Sequence, residues 1–158
     1  MGLSLSDFMK DKIQRHRRER TVDMFKIRGH TLLCLQGFRG KGYSEAFVLN
    51  MKRIHEALSN DHQTKVEVII GPDDICSACP HLKDNLCIVN SPGSGSTMKK
   101  KDKEVIELIG IYPGSLYRWG DIRGMISERV TPEILKNLCI QCQWYSLGYC
   151  EEGISKVG

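Results

Sequence analysis

Two stretches of this chain repeat one spacing of cysteines, and few folds can use that spacing twice. Cys76-Ser77-Ala78-Cys79 with Cys87, and Cys139-Ile140-Gln141-Cys142 with Cys150, both read C-x2-C-x7-C, and together they take six of the seven cysteines. A C-x2-C turn brings two sulfurs to one side of a backbone loop, where both can bind a single metal centre. The third cysteine, eight positions on, returns through a short loop and offers a third sulfur. Each segment is three-quarters of a tetrahedral thiolate site.

Ligand arithmetic then limits the arrangements. Two four-ligand centres need one more sulfur than the seven cysteines supply. Cys34 can complete one trio, leaving a histidine, water or substrate for the other. His30 lies one helical turn before Cys34, so the two can share a helix face, and His81 follows Cys79 closely. Joining Cys76 and Cys79 with Cys139 and Cys142, as zinc ribbons do, leaves Cys87 and Cys150 without a role. The metal-ligand candidates are Cys34, Cys76, Cys79, Cys87, Cys139, Cys142, Cys150 and His30. Both zinc and iron–sulfur centres accept four thiolates. Pro80 directly after Cys79 is a step common beside iron–sulfur ligands, and Trp144, Tyr145 and Tyr149 offer an apolar wall that would tune a cluster.

At 158 residues and 41% hydrophobic, the chain suits one domain with a real core. No apolar run reaches the roughly 20 residues that span a bilayer, and the N-terminus lacks a signal-peptide pattern. A cytoplasmic protein with reduced thiols is expected, in which paired C-x2-C motifs read as metal sites before disulfides. The net charge of +4 gives no strong nucleic-acid signal. Residues 1–23 read as a basic amphipathic helix, with Leu5, Phe8, Met9 and Ile13 on its apolar side, appended to a cysteine-rich domain of residues 24–158.

Within that domain, Phe25–Ile27 reads as a short strand and His30–Gln36 as a helical turn burying Leu32, Leu33 and Leu35, ended by Gly37. Gly37, Gly40 and Gly42 imply special backbone angles or a close approach. Ser44 caps a helix over 45–58 with Phe47, Met51, Ile54 and Leu58 as its buried stripe. Residues 65–70 alternate as a strand, and Pro72–Ile75 suits a helical turn delivering Cys76. Ser91–Ser96 has linker composition, followed by a helix over 98–110 whose lysine run (Lys99, Lys100, Lys101, Lys103) is its solvated face. Leu116, Tyr117 and Trp119 are apolar anchors before a short helix at 121–129, and Thr131-Pro132-Glu133 starts a helix that ends at Cys139. The fold expected is α+β, a helix-rich single domain with a small β-sheet and two cysteine knuckles lying together, or each against Cys34. No established catalytic motif is present, so an enzymatic reading rests only on an incompletely ligated, open metal site.

Several of these pieces together resemble the bacterial and archaeal family catalogued as domain of unknown function 1284. They are Arg28-Gly29-His30-Thr31-Leu32-Leu33-Cys34, the Gly40–Ser44 loop, Asp74-Ile75-Cys76 through His81, and Cys139-x-x-Cys142-x-Trp144 with Cys150, within residues 24–153. The resemblance implies an iron–sulfur cluster. The family's first motif has a second histidine where this chain has Thr31, so only His30 and Cys34 carry over from it. Two readings result. The first is an iron–sulfur protein, with a four-iron cluster expected, serving electron transfer to a redox partner protein or cluster-based chemistry. The alternative is a zinc-stabilised module binding a protein or nucleic-acid partner.

Overall fold

The computed structural model describes residues 24–83, 86–87, 94–139, 142 and 145–156, with the backbone alone at 86–87 and 94–96. The basic N-terminal segment, Ser91–Gly93, Trp144 and the Cys87 side chain lie outside the described residues.

Alternation of apolar residues builds the sheet. In Met24–Arg28 (β1) Phe25 and Ile27 are buried, and in Lys65–Ile69 (β2) Val66 and Val68 are buried. The strands run parallel with Phe25 opposite Val66 and Ile27 opposite Val68. Parallel neighbours require a crossover, and two helices supply it: Thr31–Cys34 (α1) and Glu45–Asn60 (α2). Beyond β2, Leu82–Lys83 (β3) and Leu86–Cys87 (β4) pair as a small antiparallel hairpin. Ser94–Ile109 (α3) follows, and then Leu116–Arg118 (β5) joins β2 antiparallel, giving the sheet order β1-β2-β5. Trp119–Arg129 (α4), Pro132–Cys139 (α5) and Tyr149–Ser155 (α6) complete the chain. This is the helix-rich α+β domain expected from the patterning. No helix among the described residues is long and apolar enough to cross a membrane.

One hydrophobic cluster takes the inner face of the sheet and the apolar stripes of the helices. In α2 the buried residues are Phe47, Met51, Ile54 and Leu58, at the 3.6-residue period of one helix face. Ser44 starts that helix by accepting the Phe47 N–H on its hydroxyl at 3.1 Å. We expect Ser44→Ala to lower stability by about 1 kcal/mol, measured as a shift of the urea midpoint with unchanged slope.

The structure departs from the sequence expectations in four places. Helix α3 begins at Ser94, so the end of the linker-like stretch is helical and the helix starts four residues before the expected 98. Leu116 is exposed because it belongs to the short strand β5, leaving Trp119 as the buried anchor. Pro72–Ile75 is a turn, and the helical geometry starts only at the cysteines, in a 3-10 turn over Cys76–Ala78. Finally, α1 ends at Cys34, two residues before Gln36.

The open edge of β1 is closed by that same turn. Asp74 Oδ2 accepts the Lys26 N–H and Asp73 Oδ2 the Arg28 N–H, each at 2.8 Å, while the Asp74 N–H donates to the Lys26 carbonyl. An edge strand so occupied has no free ladder to offer another chain. The paired acids are thus structural, and they fasten the first cysteine segment to the sheet.

Candidate metal centre

Both parallel strands deliver their next residues to one place. From the carboxyl end of β1 the chain enters Gly29, His30 and α1, and from that of β2 it enters the turn leading to Cys76. The crevice outside the carboxyl ends of parallel strands is where open α/β sheets keep their ligand sites. Here it holds a cavity of about 450 Å3 lined by Cys34, Cys76, Cys79, Cys142, Cys150 and His30, among others. Cysteines of both knuckles share it, as expected.

Among the described residues the two knuckles share a pattern of backbone hydrogen bonds. The Cys79 N–H donates to the Cys76 carbonyl (2.9 Å) and the Leu82 N–H to the Cys79 carbonyl (3.2 Å). In the second knuckle the Cys142 N–H donates to Cys139 (2.8 Å) and the Tyr145 N–H to Cys142 (3.0 Å). Equal spacing carries the same hydrogen bonds between residues three apart, although the residues between the cysteines differ. The lead-ins differ as well: α5 delivers Cys139, whereas Cys76 is fixed by its own N–H donating to Asp73 Oδ1 at 2.9 Å. The third cysteines return differently, Cys150 in the first turn of α6 and Cys87 in β4, where it pairs with Leu82.

Cys34 joins the second knuckle. Burial pushes its thiol well above the ordinary range, and the neighbouring Cys150, Cys139 and Cys142 push it further, with Lys101 acting the other way. Cys139 is raised to about 11 by burial, against Lys101, with Cys142 and Cys150 adding to the rise. Four thiols are therefore within electrostatic reach of one another. Two glycines permit it. A Cβ on Gly37 would strike the Cys150 backbone, and one on Gly153 would strike the Gln36 carbonyl. Gly37 serves close approach of α6 rather than helix termination.

Cys76 has a different environment. Burial and then Asp73 raise its thiol to about 12, opposed by Arg28, whose Nη1 donates to the sulfur at 3.6 Å. Arg28 is itself almost fully buried and is clamped by Asp102, whose Oδ2 accepts from Nη2 at 2.9 Å and from Nε at 3.0 Å. Asp102 is completely buried and also accepts the backbone N–H groups of His30 and Gly71. Its Oδ1 lies 2.6 Å from His30 Nδ1. A carboxylate on one ring nitrogen sets the tautomer and leaves the other, Nε2, for whatever the cavity holds, the arrangement found behind metal-ligating histidines. Gly29 makes this possible, since a Cβ there would collide with the Asp102 backbone. His81 instead packs edge-on against Tyr43 at 4.7 Å, and half-buried His55 packs against Phe38.

Among the described residues, no three His, Cys, Asp or Glu side chains stand in the geometry of a formed metal site. The donor chemistry still suits one. Clustered, buried thiols whose protons are held tightly become thiolates when a bound cation supplies the missing charge. Metal binding commonly draws such ligands together as it completes the fold. His30 and all the candidate cysteines except Cys87, whose side chain is not described, gather at this end of the domain.

Sequence reasoning passed over Asp102 and placed Lys101 on a solvated lysine face. The signal was present: Asp102 precedes buried Val105, Ile106 and Ile109 at helical spacing, so it sits on the inner stripe of α3.

The model of one family, described only as a protein of unknown function, matches residues 42–148. That span lies within the region marked out by the sequence motifs and leaves Arg28–Cys34 and Cys150 outside it. No curated protein and no solved structure matches the chain.

Proposed function

The chain belongs to the family of proteins of unknown function DUF1284, and from its site we propose that it is an iron–sulfur protein of a reducing compartment. In this reading Cys34, Cys139, Cys142 and Cys150 hold one centre. Cys76, Cys79 and Cys87 contribute to a second, with His30 the candidate for its remaining ligand. The observation that carries the reading is the placement of Cys34 against the second knuckle, which turns a trio into a four-thiol set. Four thiolates are the ligand set of one-electron iron–sulfur centres. When bound, such a centre supplies electron transfer to a redox partner protein, or Lewis-acid chemistry where a ligand position stays open. The residues' own contributions are separate: Arg28 offers a hydrogen bond and a positive charge to Cys76, Asp102 orients His30, and Tyr149 and Leu147 line the cavity. The roomy cavity favours a centre that meets a partner or small ligand over a closed structural zinc site.

Metal and acid-labile sulfide analysis of protein purified without oxygen tests this. We expect iron and sulfide in equal amounts and a broad brown absorbance, and we expect Cys34→Ser to lose one centre's share of both while remaining folded. Colourless protein with stoichiometric zinc would replace this reading with a zinc-stabilised binding module. Neither metal, with seven titratable thiols, would overturn both.

A further inference from the structure

The cavity wall carries four permanent cations, Arg28, Arg39, Lys41 and Lys101, and among the described residues no carboxylate. Two of these have carboxylate partners: Arg28 the buried Asp102 at 2.9 Å and Arg39 the exposed Glu152 at 2.6 Å. Lys41 and Lys101 have no carboxylate partner among the described residues, and they are not equivalent. Lys41 is exposed on the loop before α2. Lys101 is half-buried on α3, lining the cavity with Cys34, Cys142 and Cys150, while Lys99, Lys100 and Lys103 of the same helix are exposed. It is the cation that acts on both Cys34 and Cys139. Partial burial of an ammonium group is unfavourable unless an anion compensates it, and the groups beside this one become anionic when they ligate a metal.

We propose that Lys101 is the fixed counter-charge of the centre held by Cys34, Cys139, Cys142 and Cys150, and that it sets that centre's reduction potential. The inference rests on the iron–sulfur reading and adds to it a residue outside every cysteine motif. Reduction adds one electron and no bond changes, so the reduced centre carries one more negative charge than the oxidised one. A nearby ammonium group stabilises the more negative state, which raises the potential. Lys101 therefore makes the centre easier to reduce.

Spectropotentiometric titration of the anaerobic iron-loaded protein, with dithionite as reductant, tests this in four proteins: wild type, Lys101→Gln, Lys101→Arg and Lys103→Gln. We expect Lys101→Gln to move the midpoint to more negative potential. Lys101→Arg, which keeps the charge, should remain near wild type, and so should Lys103→Gln, which removes a charge from the exposed face of the same helix. If Lys101→Gln fails to retain iron while Lys101→Arg retains it, the charge is required for the centre itself, and the counter-charge role stands. An unchanged midpoint in Lys101→Gln, an equal shift in Lys103→Gln, or loss of iron from both Lys101 variants would overturn it. Wild-type protein without a redox-active chromophore would instead overturn the iron–sulfur reading, and this inference with it.

Discussion

Asp102→Asn will cost the fold about 3–5 kcal/mol, the usual penalty for stripping one partner from a buried ion pair. The carboxylate is the acceptor for the Arg28 guanidinium, the His30 ring and the backbone N–H groups of His30 and Gly71, and both Arg28 and Asp102 are out of water. Asparagine keeps the shape but leaves the guanidinium buried without its counter-charge. Urea unfolding of the two proteins measures the loss, and a difference under about 1 kcal/mol would show that the pair is not the keystone its burial implies. Acid unfolding adds an independent signature. Burial alone pushes the Asp102 carboxyl up, but the hydrogen bonds from His30 and Arg28 overcome it and hold the group below the ordinary carboxylate range. A depressed folded value contributes stability that is complete above the unfolded aspartate pKa of about 3.9 and is lost as pH falls below it towards the folded value. Wild type should lose stability through that acid window, and Asp102→Asn should lose less of it because its share is already gone.

Gly37→Ala is the second large effect. The added methyl has no room, because the Cys150 backbone of α6 occupies its place. The obstacle is main chain, so α6 or the 36–37 segment must move bodily. Overpacking of this kind costs about 1–3 kcal/mol. The larger consequence is positional: any displacement of α6 carries Cys150 away from Cys34. We expect Gly37→Ala to bind markedly less iron than its loss of stability would suggest. Gly40→Ala is the comparison: its Cβ meets nothing, so its cost is confined to the positive φ of 87° at that residue and should leave iron binding intact. Equal iron binding in the two variants would show that the contact at Gly37 does not position the thiol.

What could be read from the sequence was what is local. Both C-x2-C segments are closed by hydrogen bonds between residues three apart, so equal spacing carried an equal bonding pattern without help from the rest of the fold. The α2 stripe and its Ser44 cap were likewise legible, since periodicity and capping act within a few residues. The three residues of β5 were not, because so short a strand exists only by pairing with β2. Gly37 showed that a side chain was missing, but not that a helix from the far end of the chain fills the space. Asp102 was masked by the lysines around it. One buried acid in a basic run stands out only when its helical phase is compared with Val105, Ile106 and Ile109 and the buried arginine at the end of β1 is recognised as its mate.

The meeting of α1 with α6 has a topological consequence. Cys34 and Cys150 belong to the first and last helices of the described chain, more than a hundred residues apart, yet they line the same cavity. Ions bridging them would act as a removable clasp, closing a loop that spans nearly the whole domain. Cross-links over loops of that length remove the most freedom from the unfolded chain, about 4.7 kcal/mol for a hundred residues in the chain-entropy treatment. Chelation would then unfasten the two ends of the domain together, and the site could be filled only once both had come home.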